Sequence, residues 1–339
     1  MKEEATESSR KTHSIPSTSS TSTSSSPSST SPSHSHQQEG QQQHIATTEL
    51  LRFALSTVGI YWASPLMSLI DTSAVGSCAG KLSLAALGPA STLSDYAYYV
   101  NTWIGTAMTN LQAHAFAEKD SSASRKTVVT GLKLALTAGL VFSISLWAFA
   151  PMMILGYSGV GPEILPFSVE YMRIRAFGFP AALVTMVAQA ALLASRNTKI
   201  PLLAVAVEAA LNFVGDFYMV RVLGMGIGGA AWATVISQYA GMALILPMLR
   251  NALRNQKQQA GRSLSEFLGF TLPVGTTLVG KLVLYLTLTH VATTFGVTAL
   301  AAHQVMLSLF FALTPFCDAV GSTAQTFLPG DRGGVEDRG

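Results

Sequence analysis

From Phe53 to Gly80 the chain carries one formal charge, the carboxylate of Asp71. A bilayer core takes roughly 20 apolar residues per helix, and this run meets that length. The pattern repeats: from about residue 47 onward, long apolar runs alternate with short charged loops. The runs predict eight membrane helices, over about 48–75, 82–113, 131–155, 166–195, 199–221, 226–249, 265–289 and 297–328. Pro65, Pro180, Pro273 and Pro315 fall inside them; membrane helices tolerate proline where neighbours satisfy the freed carbonyl. Charged residues make up 12% of the 339 positions, about half the usual share in soluble domains. An all-α integral membrane bundle is therefore expected, with the lipid bilayer as its first partner. A net charge of +3 gives no argument for nucleic acid.

Residues 1–46 are a different material. "SIPSTSSTSTSSSPSSTSPSHSHQQEGQQQH" has almost nothing apolar to bury, so it cannot offset the entropy of ordering and is expected to be disordered. It reads either as a cytosolic tail or as an organelle transit peptide; Glu3, Glu4 and Glu7 speak against the latter. His13, His34, His36 and His44 are read as tail composition rather than as a metal site. Cys78 and Cys317 have no metal or disulfide spacing and read as small buried hydrophobes.

Loop charge sets the orientation. Lys119, Arg125, Lys126, Arg196, Lys199, Arg250, Arg254, Lys257 and Arg262 fall in loops on one side, against Lys81 and Arg221 on the other. The basic side and the N-terminus are expected in the cytosol, or in the stroma of a plastid. A weak repeat adds organisation. "LRFALSTVG" from 51 resembles "LGFTLPVGT" from 268, "LAALGPAS" from 84 resembles "LAAHQVML" from 300, and Gln112 answers to Gln325. Helices 7 and 8 then open a second copy of helices 1 to 6. The expected organisation is a first six-helix lobe over 47–250, a cytosolic inter-lobe loop over 251–263, the first two helices of a second lobe over 264–329, and a polar tail over 330–339. A complete pair of six needs twelve helices; the chain is read as C-terminally truncated and as not a competent transporter on its own.

Ionisable groups inside membrane helices are functional hypotheses by default. Those considered are Asp71, Asp95, Glu208, Asp216, Lys281 and Asp318. In "AVEAALNFVGDFYMV", Glu208, Asn212 and Asp216 recur every fourth residue and so share one helix face. Counted from the helix ends, Asp71 and Asp216 both lie about 7 Å deep, with Asn212 and Thr234 about 12–13 Å deep. Two carboxyls, an amide and a hydroxyl therefore occupy one layer. Two acids brought together there do not both ionise freely, and a coupled pair takes up and releases protons as a unit. The same oxygens suit Na⁺ as a hard cation. Asp95, beside Tyr96, Tyr98 and Tyr99, either lines a solute path with Glu208 or is a structural acid. Lys281 either pairs with Asp318, attracts an anionic solute, or snorkels.

Several chemistries lack their motifs. "GMGIGGAAWAT" follows no strand, there is no Walker lysine, and neither a nucleophile elbow nor HExxH occurs. No enzyme and no cofactor are expected, beyond a coupling ion.

Together, "SLIDTSAVG", "LAALGPA", "EYMRIRAFGFPA", "ASRNTKIPL", "LNFVGDF", "GIGGAAWATVISQY" and "LAAHQVM" resemble the multidrug and toxic compound extrusion (MATE) transporters, over about 50–329. "LSDYAYYV", "TNLQAHAFAEKD" and "TAQTFLPG" look most like the plant plastid branch, which includes a salicylate exporter. The resemblance implies a twelve-helix, two-lobed bundle, of which eight helices are present here. It implies a transporter, expected to be a monomer, that exports small organic solutes in exchange for H⁺ or Na⁺; a lone Lys281 and abundant aromatics fit an aromatic organic acid as solute, and Asp95 with Glu208 fit an organic cation. It places the ion site on Asp71, Asn212, Asp216 and Thr234. The expected location is a plastid envelope, or else the plasma or vacuolar membrane. The alternatives are a lipid-linked flippase of the same superfamily and a non-transporting membrane fragment or regulator.

Overall fold

A computed structural model describes residues 33–117, 121–158, 161–254, 264–295 and 297–336, with side chains described from Thr47 onward at most of these positions. By internal contact the chain divides into Met1–Ala46 and Thr47–Gly339. The candidate functional residues all fall in the second unit. His13 and most of the expected inter-lobe loop lie outside the described residues, and of His34, His36 and His44 only the backbone is described.

The elements are helical throughout the described residues. They are α1 (Ser33–Cys78), α2 (Gly80–Val100), α3 (Thr102–Ala117), α4 (Ser121–Ser158), α5 (Leu165–Ala176), α6 (Phe179–Ala194), α7 (Lys199–Asp216), a π-helical turn (Phe217–Val222), α8 (Gly226–Leu253), α9 (Leu264–Thr294) and α10 (Val297–Glu336). Among the described residues, four stretches are long and apolar enough to cross a membrane: Thr47–Cys78, Ser124–Tyr157, Lys199–Val222 and Gly226–Leu253. The α5–α6 pair, bent by 48°, makes a fifth if counted as one span.

The helix α1 begins at Ser33. Two expectations need correction. First, two of the eight expected runs are broken. Asn101 separates α2 from α3 and turns its side-chain amide back onto the Ala97 carbonyl at 2.8 Å. The run 166–195 bends at Phe177–Gly178, where Pro180 opens the next helix. Proline and glycine are the usual causes of such bends. The helix α10 runs to Glu336. Second, Cys78 and Cys317 are exposed rather than buried.

The outward faces are apolar. Leu55 is 67% exposed, Ile144 68% and Met152 69%. Side chains of this kind, ringing the long helices, meet lipid rather than water. Inside, Ile104, Met108, Leu183 and Leu192 centre the largest core. A second core joins Val75, Leu87, Tyr171 and Ile227 beneath the ends of α1 and α2.

Small residues allow the helices to close on one another. A Cβ at Gly139 of α4 would lie 2.6 Å from the Pro180 Cα and 3.2 Å from the Phe179 carbonyl oxygen. The obstacle is backbone at the bend, so it cannot swing aside. A Cβ at Gly156, on the same helix, would meet nothing within 4 Å. Gly139→Val is expected to cost about 1–3 kcal/mol through overpacking, and Gly156→Ala to be neutral or slightly stabilising. Thermal melts of the two purified variants check this.

Candidate functional site

The site is built on the contact between α7 and α8. A Cβ at Gly215 would stand 2.9 Å from the Ala233 Cβ. That closeness brings the residues beside them, Asp216 and Thr234, into the same layer. Two backbone features hold this end of α7. The π-helical turn starts directly after Asp216, a distortion frequent at functional sites. Gly224 and Gly226 then take φ of 65° and 59°, which lets the chain reverse tightly into α8.

Four predicted residues meet here. Asn212 is 0% exposed, Asp216 1%, and Asp71 and Thr234 6% each. The Asn212 Nδ2 donates to Thr234 Oγ1 at 3.3 Å. Thr234 Oγ1 lies 3.2 Å from Asp71 Oδ2 and 3.0 Å from the Ala230 carbonyl oxygen of its own helix, and can donate to either. The Asp216 carboxyl stands beside that of Asp71. Asp71 Oδ1, Asn212 Oδ1 and both Asp216 carboxyl oxygens make no hydrogen bond. Buried polar atoms are normally paired, so four unpaired acceptor oxygens at one point mark a place for a proton or a small hard cation. Among the described residues no group of three or more His, Cys, Asp and Glu forms a metal cluster.

One turn away on the same helices lies a cavity of about 120 Å³. Met67, one turn before Asp71, and Glu208, one turn before Asn212, line it together with Asp95, Tyr98, Arg175 and Gln238. Glu208 therefore leaves the four-residue layer and faces the cavity instead. Asp95 is exposed towards it. Lys281 and Asp318 lie elsewhere, both exposed on α9 and α10, near enough for the lysine's charge to act on the acid.

Arg175 is the residue absent from the reading of charges. Its Nε and Nη1 are buried without a hydrogen-bond partner, and its charge acts on Asp95, Asp71 and Glu208. It sits in the last turn of α5, where the carbonyl end of a helix favours a cation. The signal was present in "EYMRIRAF": an arginine inside the apolar run 166–195. Arg173 beside it turns outward, its Nε bonded to the Trp147 carbonyl at 3.2 Å.

Lipid-facing helices around a buried cluster of carboxyls, with a cavity of mixed charge beside it, define a polytopic membrane protein with an internal polar site. The MatE family model matches residues 58–218, the segment that holds Asp71, Asp95, Arg175, Glu208, Asn212 and Asp216. Protein DETOXIFICATION 47, chloroplastic, of Arabidopsis thaliana is 32% identical over 285 residues, covering 83% of this chain and 52% of that protein. Protein DETOXIFICATION 44, chloroplastic, of the same plant is 32% identical over 294 residues, covering 83% and 56%. The crystal structure of MATE in the bent conformation superposes with a TM-score of 0.73 at 20% identity, covering 84% of this chain and 66% of that one. The chain belongs to the MATE family and has its helical-bundle fold. It spans about half the length of the curated relatives it matches.

Thr234 is the hinge of the cluster, touching both Asn212 and Asp71. Thr234→Val keeps the shape and removes the hydroxyl, so it should cost about 1–2 kcal/mol. Thr234→Ser should cost less than half of that. Melting curves of both variants in detergent test the difference.

Proposed function

We propose that this chain supplies the ion-coupling lobe, and the opening helices of the second lobe, of a secondary active transporter that exports small organic solutes in exchange for H⁺ or Na⁺. Its N-terminus and basic loops face the cytosol or stroma. The observation that carries this reading is the set of four unpaired oxygens on Asp71, Asn212 and Asp216 around the Thr234 hydroxyl. A bound proton or Na⁺ satisfies them and draws α1, α7 and α8 together; loss of the ion leaves like charges and bare acceptors, which favours separation. That difference in packing is what alternating access requires of a coupling site. Asp95, Glu208 and Arg175 lie on the solute path, because the cavity shares two helices with the ion cluster. Lys281 on α9 supplies positive charge from the second lobe. The mix of charges suits solutes with polar or ionised groups, aromatic organic acids among them. The two chloroplastic relatives favour a plastid envelope.

An ion that binds only the folded chain stabilises it by mass action. The melting temperature of the solubilised protein is therefore expected to rise with Na⁺ if sodium is the coupling ion, and with acid if the proton is. Asp71→Asn and Asp216→Asn should each abolish the response. In proteoliposomes carrying the chain extended to its relatives' length, either variant should lower ion-driven dye efflux at least tenfold, about 1.4 kcal/mol or more in barrier. Melts indifferent to both ions, or variants that match the parent in both assays, would remove the coupling role.

A further inference from the structure

A second cavity, of about 380 Å³, lies where two membrane spans begin. Its walls come from the start of the span Thr47–Cys78, from the α6–α7 turn with the start of the span Lys199–Val222, and from α10. Three cations line it, Arg52, Arg196 and Lys199, against one acid, Glu49. Phe53 and Phe327 form its apolar side, ring edge against face, with centroids 5.3 Å apart. The volume lies within the range of small-ligand pockets.

The backbone at Arg196 departs from the common solution. The end of α6 is closed by Asn197 N–H to the Leu192 carbonyl at 2.9 Å and Arg196 N–H to the Leu193 carbonyl at 2.8 Å. This closure puts its last residue in the left-handed region, the position glycine usually fills. Here it is Arg196, at φ 57°. An arginine is thus held in a strained conformation, with its guanidinium 4.2 Å from the Phe327 ring centroid and 4.0 Å from the Glu49 carboxylate. Arg196 and Glu49 thus form an ion pair. Among the described residues no acid forms such a pair with Arg52 or Lys199. The first turn of α7 adds its amide end to the same side, where the Ile200 N–H donates to Asn197 Oδ1 at 3.4 Å, and helix N-termini favour anions.

We propose that this pocket binds a phosphate-bearing anion, presented by the headgroup of an anionic membrane lipid. The level of the pocket is that of the headgroups, because two spans start there. Arg52 and Lys199 hold the phosphate, Arg196 is fixed over Phe327 as the third charge, and Phe53 and Phe327 accept the apolar part of the lipid next to it. Basic pockets between membrane helices on the cytosolic side take such headgroups. The pocket shares no residue with the Asp71 cluster, and its test reads lipid binding rather than transport, so the two readings fail separately.

The test uses the purified chain in neutral detergent. Melting temperature is followed while phosphatidylglycerol or phosphatidylcholine is titrated in, and separately while inorganic phosphate alone is added. Phosphatidylglycerol is expected to give a saturable rise that phosphatidylcholine does not. Arg52→Gln with Lys199→Gln should weaken its binding roughly tenfold or more, whereas Arg250→Gln, at the end of α8 and outside the pocket, should leave it unchanged. Lipid-free melts are compared first; if the double variant melts lower, Lys199→Gln alone carries the test. Inorganic phosphate that reproduces the rise and competes with the lipid identifies free phosphate as the source; phosphate without effect identifies the lipid. Equal responses to the two lipids, or equal losses in the pocket and Arg250 variants, would overturn the proposal, since either means diffuse surface charge.

Discussion

The contact between Gly215 and Ala233 governs the polar interior. With no side chain at Gly215, α7 and α8 approach until a Cβ there would be only 2.9 Å from its neighbour. Water is excluded at that spacing, and the Asn212 amide meets the Thr234 hydroxyl across it. Asp71 then arrives from α1, more than a hundred residues away in sequence. In a dry layer a carboxyl needs a proton, a cation or a donor. The hydroxyl of Thr234 faces Asp71 Oδ2, while both Asp216 oxygens are left without a donor. The shortfall in donors follows directly from the helix contact.

The bend at Phe177–Gly178 has a comparable effect on the cavity. It ends α5 just after Arg175 and turns α6 away by 48°. An arginine on a straight span would point to lipid or reach for the interface. Ending the helix there leaves it inside the bundle, at the carbonyl end of α5 and within range of Asp95 and Glu208. The cavity thus holds both signs of charge on adjoining walls. The carboxyl cluster is only one turn distant, on α1 and α7. A change of charge at one is felt at the other, since interactions in so apolar a medium are weakly screened.

Much of this was legible in the chain. The isolation of Asp71 in a run of apolar residues marked it, and the four-residue spacing of Glu208, Asn212 and Asp216 put them on one face. Depth along each helix then matched Asp71 with Asp216. Spacing alone grouped Glu208 with the other two, yet it faces the cavity. A helix face is wide enough for a side chain two turns away to meet a different neighbour. Arg175 was hidden because it stands two residues from Arg173, and the sequence does not show which of the two turns into the bundle. The breaks at Asn101 and Phe177 were also hidden, since hydropathy averages over a window and a bend does not change composition.

The sequence by itself determined the solvent, the helical class and which side chains are too polar for lipid. Those are properties of composition and local periodicity, and each is settled within one helix. Which polar groups meet was decided by the tertiary structure. The Thr234–Asp71 contact joins residues 163 positions apart, and no local pattern encodes the rotation and separation of helices that creates it. Those are set by small-residue contacts and by the bends, where a single missing Cβ decides how near two backbones come.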